Sequence, residues 1–245
     1  MFASFFPSPK LFFPATVLWT ALTMAYWYGL ARDLGPQLSV GGLVGFPYPP
    51  ASASAADIAV EIARNIWVYQ YMIAAGAIFI GLVAWRSPHR WLRWSVAVSA
   101  GIIFFLWFRV QLDVMINNWF GVFYNMVQQA LAKPHAVTQE QFFGQLGTFA
   151  GIALVSITAS VVTEFITSHY IFRWRTAMNG HYVANWQRLR HIEGASQRVQ
   201  EDTQRFAVTL ERLGARLIDA LMTLLAFLPI LWGLSAYVKE VPLVG

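Results

Sequence analysis

Five apolar runs, each long enough to cross a lipid bilayer, constrain this chain more than any motif in it. They lie at about residues 11–30, 66–85, 94–112, 142–166 and 217–238. Roughly 20 apolar residues in a helix cross a hydrocarbon core of about 30 Å. With no water inside the lipid, the backbone polar groups of such a run must bond within a helix or a closed barrel. Continuous runs of this length predict helices, so the expected fold class is all-α, a polytopic integral membrane protein. Composition agrees. Of the 245 residues, 57% are hydrophobic and 12% are charged, against about 25% charged in a typical soluble domain.

The first run is flanked by Lys10 and Arg32. It is longer than the apolar region of a secretory signal, and no A-x-A-like cleavage site follows, so a retained span is expected. Residues 35–54 are rich in Gly, Pro and Ser and read as an irregular loop. Ser54 and Asp57 have capping-box spacing, which predicts a helix from near Ala55 into the second span. Ser87 and Pro88 suit an N-cap and a first helical position. They are expected to open a helix that carries the third span and continues to about Leu131. Residues 94–131 would then extend about 57 Å, so part of that helix should stand outside lipid or beside water. Pro134 ends it, and Thr138 with Gln141 makes a further capping box before the fourth span. Residues 168–216 are polar and Arg-rich, with helical patterning and no turn cluster before Gly194. They are read as a cytoplasmic helical segment of a single transmembrane domain, 1–245.

Basic residues give the expected orientation. With the N-terminus inside, Lys10, Arg86, Arg90, Arg93 and the eight arginines from Arg173 to Arg216 share one side. Arg32, Arg64, Lys133 and Lys239 fall on the other. Lys and Arg concentrate in cytoplasmic loops, so the N-terminus is expected in the cytoplasm. The net charge of +5 is thereby explained without a nucleic-acid partner.

Several chemistries find no support. None of the three lysines follows a glycine, so the chain carries no P-loop of its own. Neither H-E-x-x-H nor G-x-S-x-G occurs. Without cysteine there is no disulfide, thiolate metal site or Cys nucleophile. The five histidines are scattered, and His89 and His135 each sit beside proline at a helix boundary, where they suit turn or capping roles. No cofactor, metal or enzymatic activity is expected.

Two groups of charges need a reason. Arg109 and Asp113 are four residues apart near the end of the third span, on one helical face where they can pair. Ionisable groups at membrane depth face a bundle interior or a watery cavity and often mark a transport path; an interfacial pair with Arg109 reaching outward is the structural alternative. The second group is His191 to Asp202. On a helix, Glu193, Gln197 and Glu201 would share a face. Arg198 would reach Glu201 and Asp202, and Glu201 would reach Arg205. Spacing alone leaves open a solvated helix laced with ion pairs and a set of carboxylates whose tuned protonation drives transport.

The segments Ser168-His-Tyr-Ile-Phe-Arg-Trp-Arg-Thr-Ala-Met-Asn179, Ala184-Asn-Trp-Gln187 and Leu189-Arg-His-Ile-Glu-Gly-Ala-Ser-Gln-Arg-Val-Gln-Glu-Asp-Thr203 carry a family resemblance. With Met1-Phe-Ala-Ser-Phe-Phe-Pro7, Ser87-Pro-His-Arg-Trp91 and Asn117-Asn-Trp119, they resemble the SbmA/BacA family of bacterial inner-membrane peptide transporters. The resemblance implies a homodimer with a membrane fold like the transmembrane half of an ABC exporter, without a nucleotide-binding domain. It also implies import of peptides and peptide-like antibiotics, coupled to protons. The cavity carboxylates of the family carry over to Glu201 first, then Glu193, with Asp202 a weaker match; Arg109 and Asp113 rest on spacing alone. Family members are longer, so the chain is expected to be truncated relative to them. The competing readings are a membrane subunit that borrows an ATPase from another chain, and an envelope scaffold without transport.

Overall fold

The computed structural model describes residues 2–54, 57–133 and 136–235. Among them every regular element is helical. Five long helices carry the fold: α1, Pro9–Gly29; α2, Ile58–Arg86; α3, Ser99–Ala132, led in by a π-helical turn, Arg93–Val98; α4, Gln139–Ala184; and α5, Ala195–Ser235. Four stretches are long and apolar enough to cross a membrane: Ile58–Arg86, Arg93–Ala132, Gln139–Ala184 and Arg216–Ser235. The run at 11–30 forms α1 but is not among those four. Three threonines, Pro14 and the Tyr-Trp-Tyr at its end dilute its apolar character. Its threonine hydroxyls are nonetheless satisfied inside the helix: Thr16, Thr20 and Thr23 donate to the carbonyls of Phe12, Thr16 and Trp19 at 2.9 Å. The end of the run at 217–238 lies outside the described residues, as do Ala55, Pro134 and His135.

Helix boundaries correct the sequence in four places. The N-cap of α2 is Asp57, whose carboxylate accepts the Ala59 N–H at 2.9 Å. Ser54 instead closes the turn before it, its carbonyl accepting the Asp57 N–H at 3.3 Å. Ser87 terminates α2, its N–H bonded to the Val83 carbonyl, so Ser87-Pro88 does not open the next helix. That role passes to His89, whose Nδ1 accepts the Trp91 N–H at 3.2 Å ahead of the π turn. The stretch after α4 breaks nine residues earlier than Gly194, at Asn185, where the side-chain amide donates back to the His181 carbonyl at 2.9 Å. Finally, residues 35–54 are not wholly irregular. They contain short helical turns at Gly35–Leu38 and Val40–Val44, and the Gln70 carboxamide of α2 clasps them, accepting from Val40 N–H and donating to the Leu38 carbonyl.

The capping box at the start of α4 forms as written in the sequence. Thr138 N–H donates to Gln141 Oε1 at 3.0 Å, and Gln141 N–H to Thr138 Oγ1 at 3.2 Å. Thr138→Ala removes one of the two bonds and should cost about 1 kcal/mol. Thermal unfolding of the protein in detergent, with Thr138→Ser as the retained-hydroxyl control, measures it.

The chain divides into two compact units, Met1–Phe104 with Glu164–Glu211, and Phe105–Thr163 with Arg212–Gly245. In the first, α1 and α2 pack through aromatic pairs, Phe12 and Trp19 on Phe79, Trp27 on Tyr71. Tyr71 O–H donates to the Thr23 carbonyl at 2.6 Å, and Trp67 Nε1–H to the Ala31 carbonyl at 2.9 Å. The core of this unit is built on the chain's first residues. Phe5 is fully buried and lies parallel to Trp174 of α4 at 5.3 Å, with Phe6 and Tyr170 edge-on to it. Met178 and Ala207 close the cluster. In the second unit, Trp119 stacks on Phe123 and meets Phe149, and its Nε1–H donates to the Gln145 carbonyl at 2.9 Å, joining α3 to α4.

Candidate functional site

The polar half of the first unit holds a cavity of about 730 Å³. One wall is α4, through Phe172, Arg175, Thr176, Asn179 and Val183. These recur at three- and four-residue intervals, which keeps them on one helical face. The other wall is α5, through Ser196, Val199, Gln200 and Thr203, and Trp186 closes one end. The two threonines turn inward to their own helices, Thr176 bonding the Phe172 carbonyl at 2.9 Å and Thr203 the Val199 carbonyl at 2.6 Å. Arg175, Asn179, Ser196 and Gln200 are different. Among the described residues, their side chains make no hydrogen bond or ion pair with the protein. The cavity thus offers a guanidinium, two carboxamides and a hydroxyl between aromatic and aliphatic surfaces, with no carboxylate in its lining among the described residues.

None of the carboxylates predicted from the polar segment, Glu193, Glu201 and Asp202, belongs to the lining of this cavity. Glu201 projects from another side of α5. It accepts from Gln197 Nε2 at 3.0 Å and lies 3.8 Å from Arg205 Nη2, with its side chain half exposed. Asp202 and Arg198 line a smaller hollow of about 170 Å³ with Tyr182, Leu189 and Ile192. No ion pair joins Arg198 to Glu201 or Asp202 among the described residues. Their spacing allows contact, but the side chains take other directions. Glu193 does not share the helical face of Gln197 and Glu201. Gly194 adopts a left-handed backbone, φ 71°, and α5 starts at Ala195, so Glu193 sits in the preceding turn.

In the second unit, Arg109 is half-buried and Asp113 exposed on α3. The charge of Arg109 acts on Asp113, yet the two do not come within ion-pair distance. Asp219 of α5 also acts on Asp113. Sequence reasoning missed Asp219, although a carboxylate inside an apolar run is a plain signal. It missed Arg175, Asn179 and Gln200 as cavity groups as well. Their signal was present: all three lie in the segments quoted above, Arg175 and Asn179 four residues apart on one helix.

Fold and site together define a class: a polytopic α-helical membrane protein with a large amide-lined cavity at the polar ends of its helices. The comparison with known proteins makes this specific. Residues 88–245 match the SbmA/BacA-like family, and the chain belongs to that family. It is also similar to a protein of Haemophilus influenzae described as an uncharacterized ABC transporter ATP-binding protein, with 24% identity over 179 residues. That stretch is 69% of this chain and 28% of the relative, so the chain matches well under half of the relative's length.

Proposed function

We propose that the intact protein imports peptides and peptide-like antibiotics across the bacterial inner membrane as a homodimer, driven by the proton gradient, with its N-terminus in the cytoplasm. The observation that carries this reading is the cavity between α4 and α5. A peptide presents regularly spaced N–H and C=O groups and a terminal carboxylate. Unengaged carboxamides at Asn179 and Gln200 match the former, and Arg175 matches the latter. Trp186 and Phe172 provide apolar surface for side chains of varied shape. Family membership supports transport, and the Lys and Arg distribution supports the orientation.

Proton coupling is assigned to carboxylates, Glu201 first, then Glu193 and Asp202, and on the apolar helices Asp113 and Asp219, with the fixed charge of Arg109 acting on Asp113. Protonation on the outer side favours one arrangement of the cavity helices, and release inside resets it. Only a differential effect on two states lets protons do this work.

A second reading is favoured by the relative of Haemophilus influenzae, which is described as an ABC transporter ATP-binding protein. The chain would then be the membrane part of an ATP-driven transporter, its ATPase supplied by another chain. Cells carrying or lacking the gene, given a fluorescent proline-rich peptide, separate the two. Collapse of uptake by an uncoupler at constant ATP supports proton drive. Uptake that survives the uncoupler but falls with ATP depletion rejects it in favour of the second reading.

A further inference from the structure

We propose that a second cavity, bounded by Ser4, His89, Arg90, Trp91, Thr176 and His181, binds the phosphate group of an anionic lipid headgroup. This hollow of about 390 Å³ lies within the first unit, between the N-terminal segment, the turn after α2 and the last turns of α4. Its position follows from topology. The turn at 87–92 joins two stretches that are each long and apolar enough to cross a membrane, so it lies at a membrane surface.

The chemistry of the lining is one-sided. Among the described residues it contains a guanidinium and two imidazoles and no carboxylate. Arg90 lies over the Trp91 ring at 5.4 Å, so an aromatic face steadies its exposed guanidinium without neutralising it. Among the described residues, Arg90 has no ion-pair partner. His89 has a defined hydrogen-bonding role. Its Nδ1 accepts the Trp91 N–H at 3.2 Å, which leaves Nε2 to carry the proton as a donor in the neutral ring. Burial holds that ring below its ordinary pKa, which favours the neutral donor form. The Ala3, Ala177 and Gly180 positions in the wall add no bulk that would fill the space.

An anion with several acceptor oxygens suits a planar guanidinium flanked by imidazole donors. Basic pockets at the ends of membrane helices select anionic headgroups over zwitterionic ones in the same way. The site is separate from the 730 Å³ cavity. Thr176 is common to both linings, and the other residues differ.

The test uses the intact protein in nanodiscs of phosphatidylcholine with and without phosphatidylglycerol. Native mass spectrometry counts the phosphatidylglycerol molecules retained. The wild type should hold phosphatidylglycerol about tenfold more tightly than Arg90→Gln/His181→Gln, the loss expected when charge-assisted hydrogen bonds to phosphate go. The double variant should melt like wild type in pure phosphatidylcholine. If it does not fold, Arg90→Gln alone, at an exposed side chain, gives the same readout. Equal retention by wild type and variant overturns the proposal, and so does protection by inorganic phosphate alone without lipid retention, which would make free phosphate the ligand. Retention of an acidic protein in place of lipid would also overturn it.

Discussion

Phe5→Ala should be among the most damaging single substitutions in the chain. The ring is fully buried, parallel to Trp174 at 5.3 Å and edge-on to Phe6 and Tyr170 at 5.4 and 5.3 Å. Truncation leaves a ring-sized void, and in soluble cores Phe→Ala costs about 3–5 kcal/mol. Lipid supplies no hydrophobic drive between helices, but lost dispersion contacts and the void remain. Because Tyr170, Trp174 and Met178 belong to α4, Ala207 to α5 and Phe5 to the N-terminal segment, one substitution loosens three parts of the unit. Phe5→Leu should recover much of the loss, and Phe2→Ala, at a 41% exposed ring, should cost far less. Unfolding in mixed detergent micelles measures all three. An unchanged midpoint for Phe5→Ala would mean that the first residues are not part of the core.

The second large effect is expected in transport rather than stability. Glu201→Gln should abolish peptide uptake by the intact protein while leaving its amount in the membrane unchanged. Glutamine preserves size and can still bond Gln197, and the ion pair lost to Arg205 is long and solvent-exposed, worth little to folding. Surface substitutions of this kind shift stability by about 0.5 kcal/mol or less. A loss of uptake is therefore attributable to the missing titratable group. Normal uptake in Glu201→Gln would remove this residue from the coupling scheme and turn attention to Asp113 and Asp219.

Much of the fold could be read before the structure, for physical reasons that differ by element. The four apolar spans are legible because lipid leaves a helix few alternatives, and the Thr138–Gln141 box because its two bonds are local. What escaped depends on competition between local solutions. Asn185 breaks the polar helix without glycine or proline, through a bond to the His181 carbonyl that spacing does not announce. Asp57 displaces Ser54 as a cap because it sits immediately before the first helical residue, Ile58. The π turn at Arg93–Val98 leaves no pattern of its own. The Phe5–Phe6 core is built by a segment with no long helix, so periodicity could not reveal it.

The site was legible in part. The segments that carry the resemblance do line the cavity, but through Arg175, Asn179 and Gln200 rather than the acidic residues. Periodicity cannot tell which of several polar faces on α5 meets α4. The face shared by Glu193, Gln197 and Glu201 required a helix running through Gly194, whose left-handed backbone sets Glu193 apart from Glu201.

The central claim is proton-driven peptide import, and reconstitution addresses it most directly. The intact protein in sealed liposomes, under an imposed pH gradient and without ATP, should accumulate a labelled proline-rich peptide and lose that accumulation when an uncoupler is added. No uptake by folded, dimeric protein under the gradient would contradict the account, as would uptake indifferent to the uncoupler.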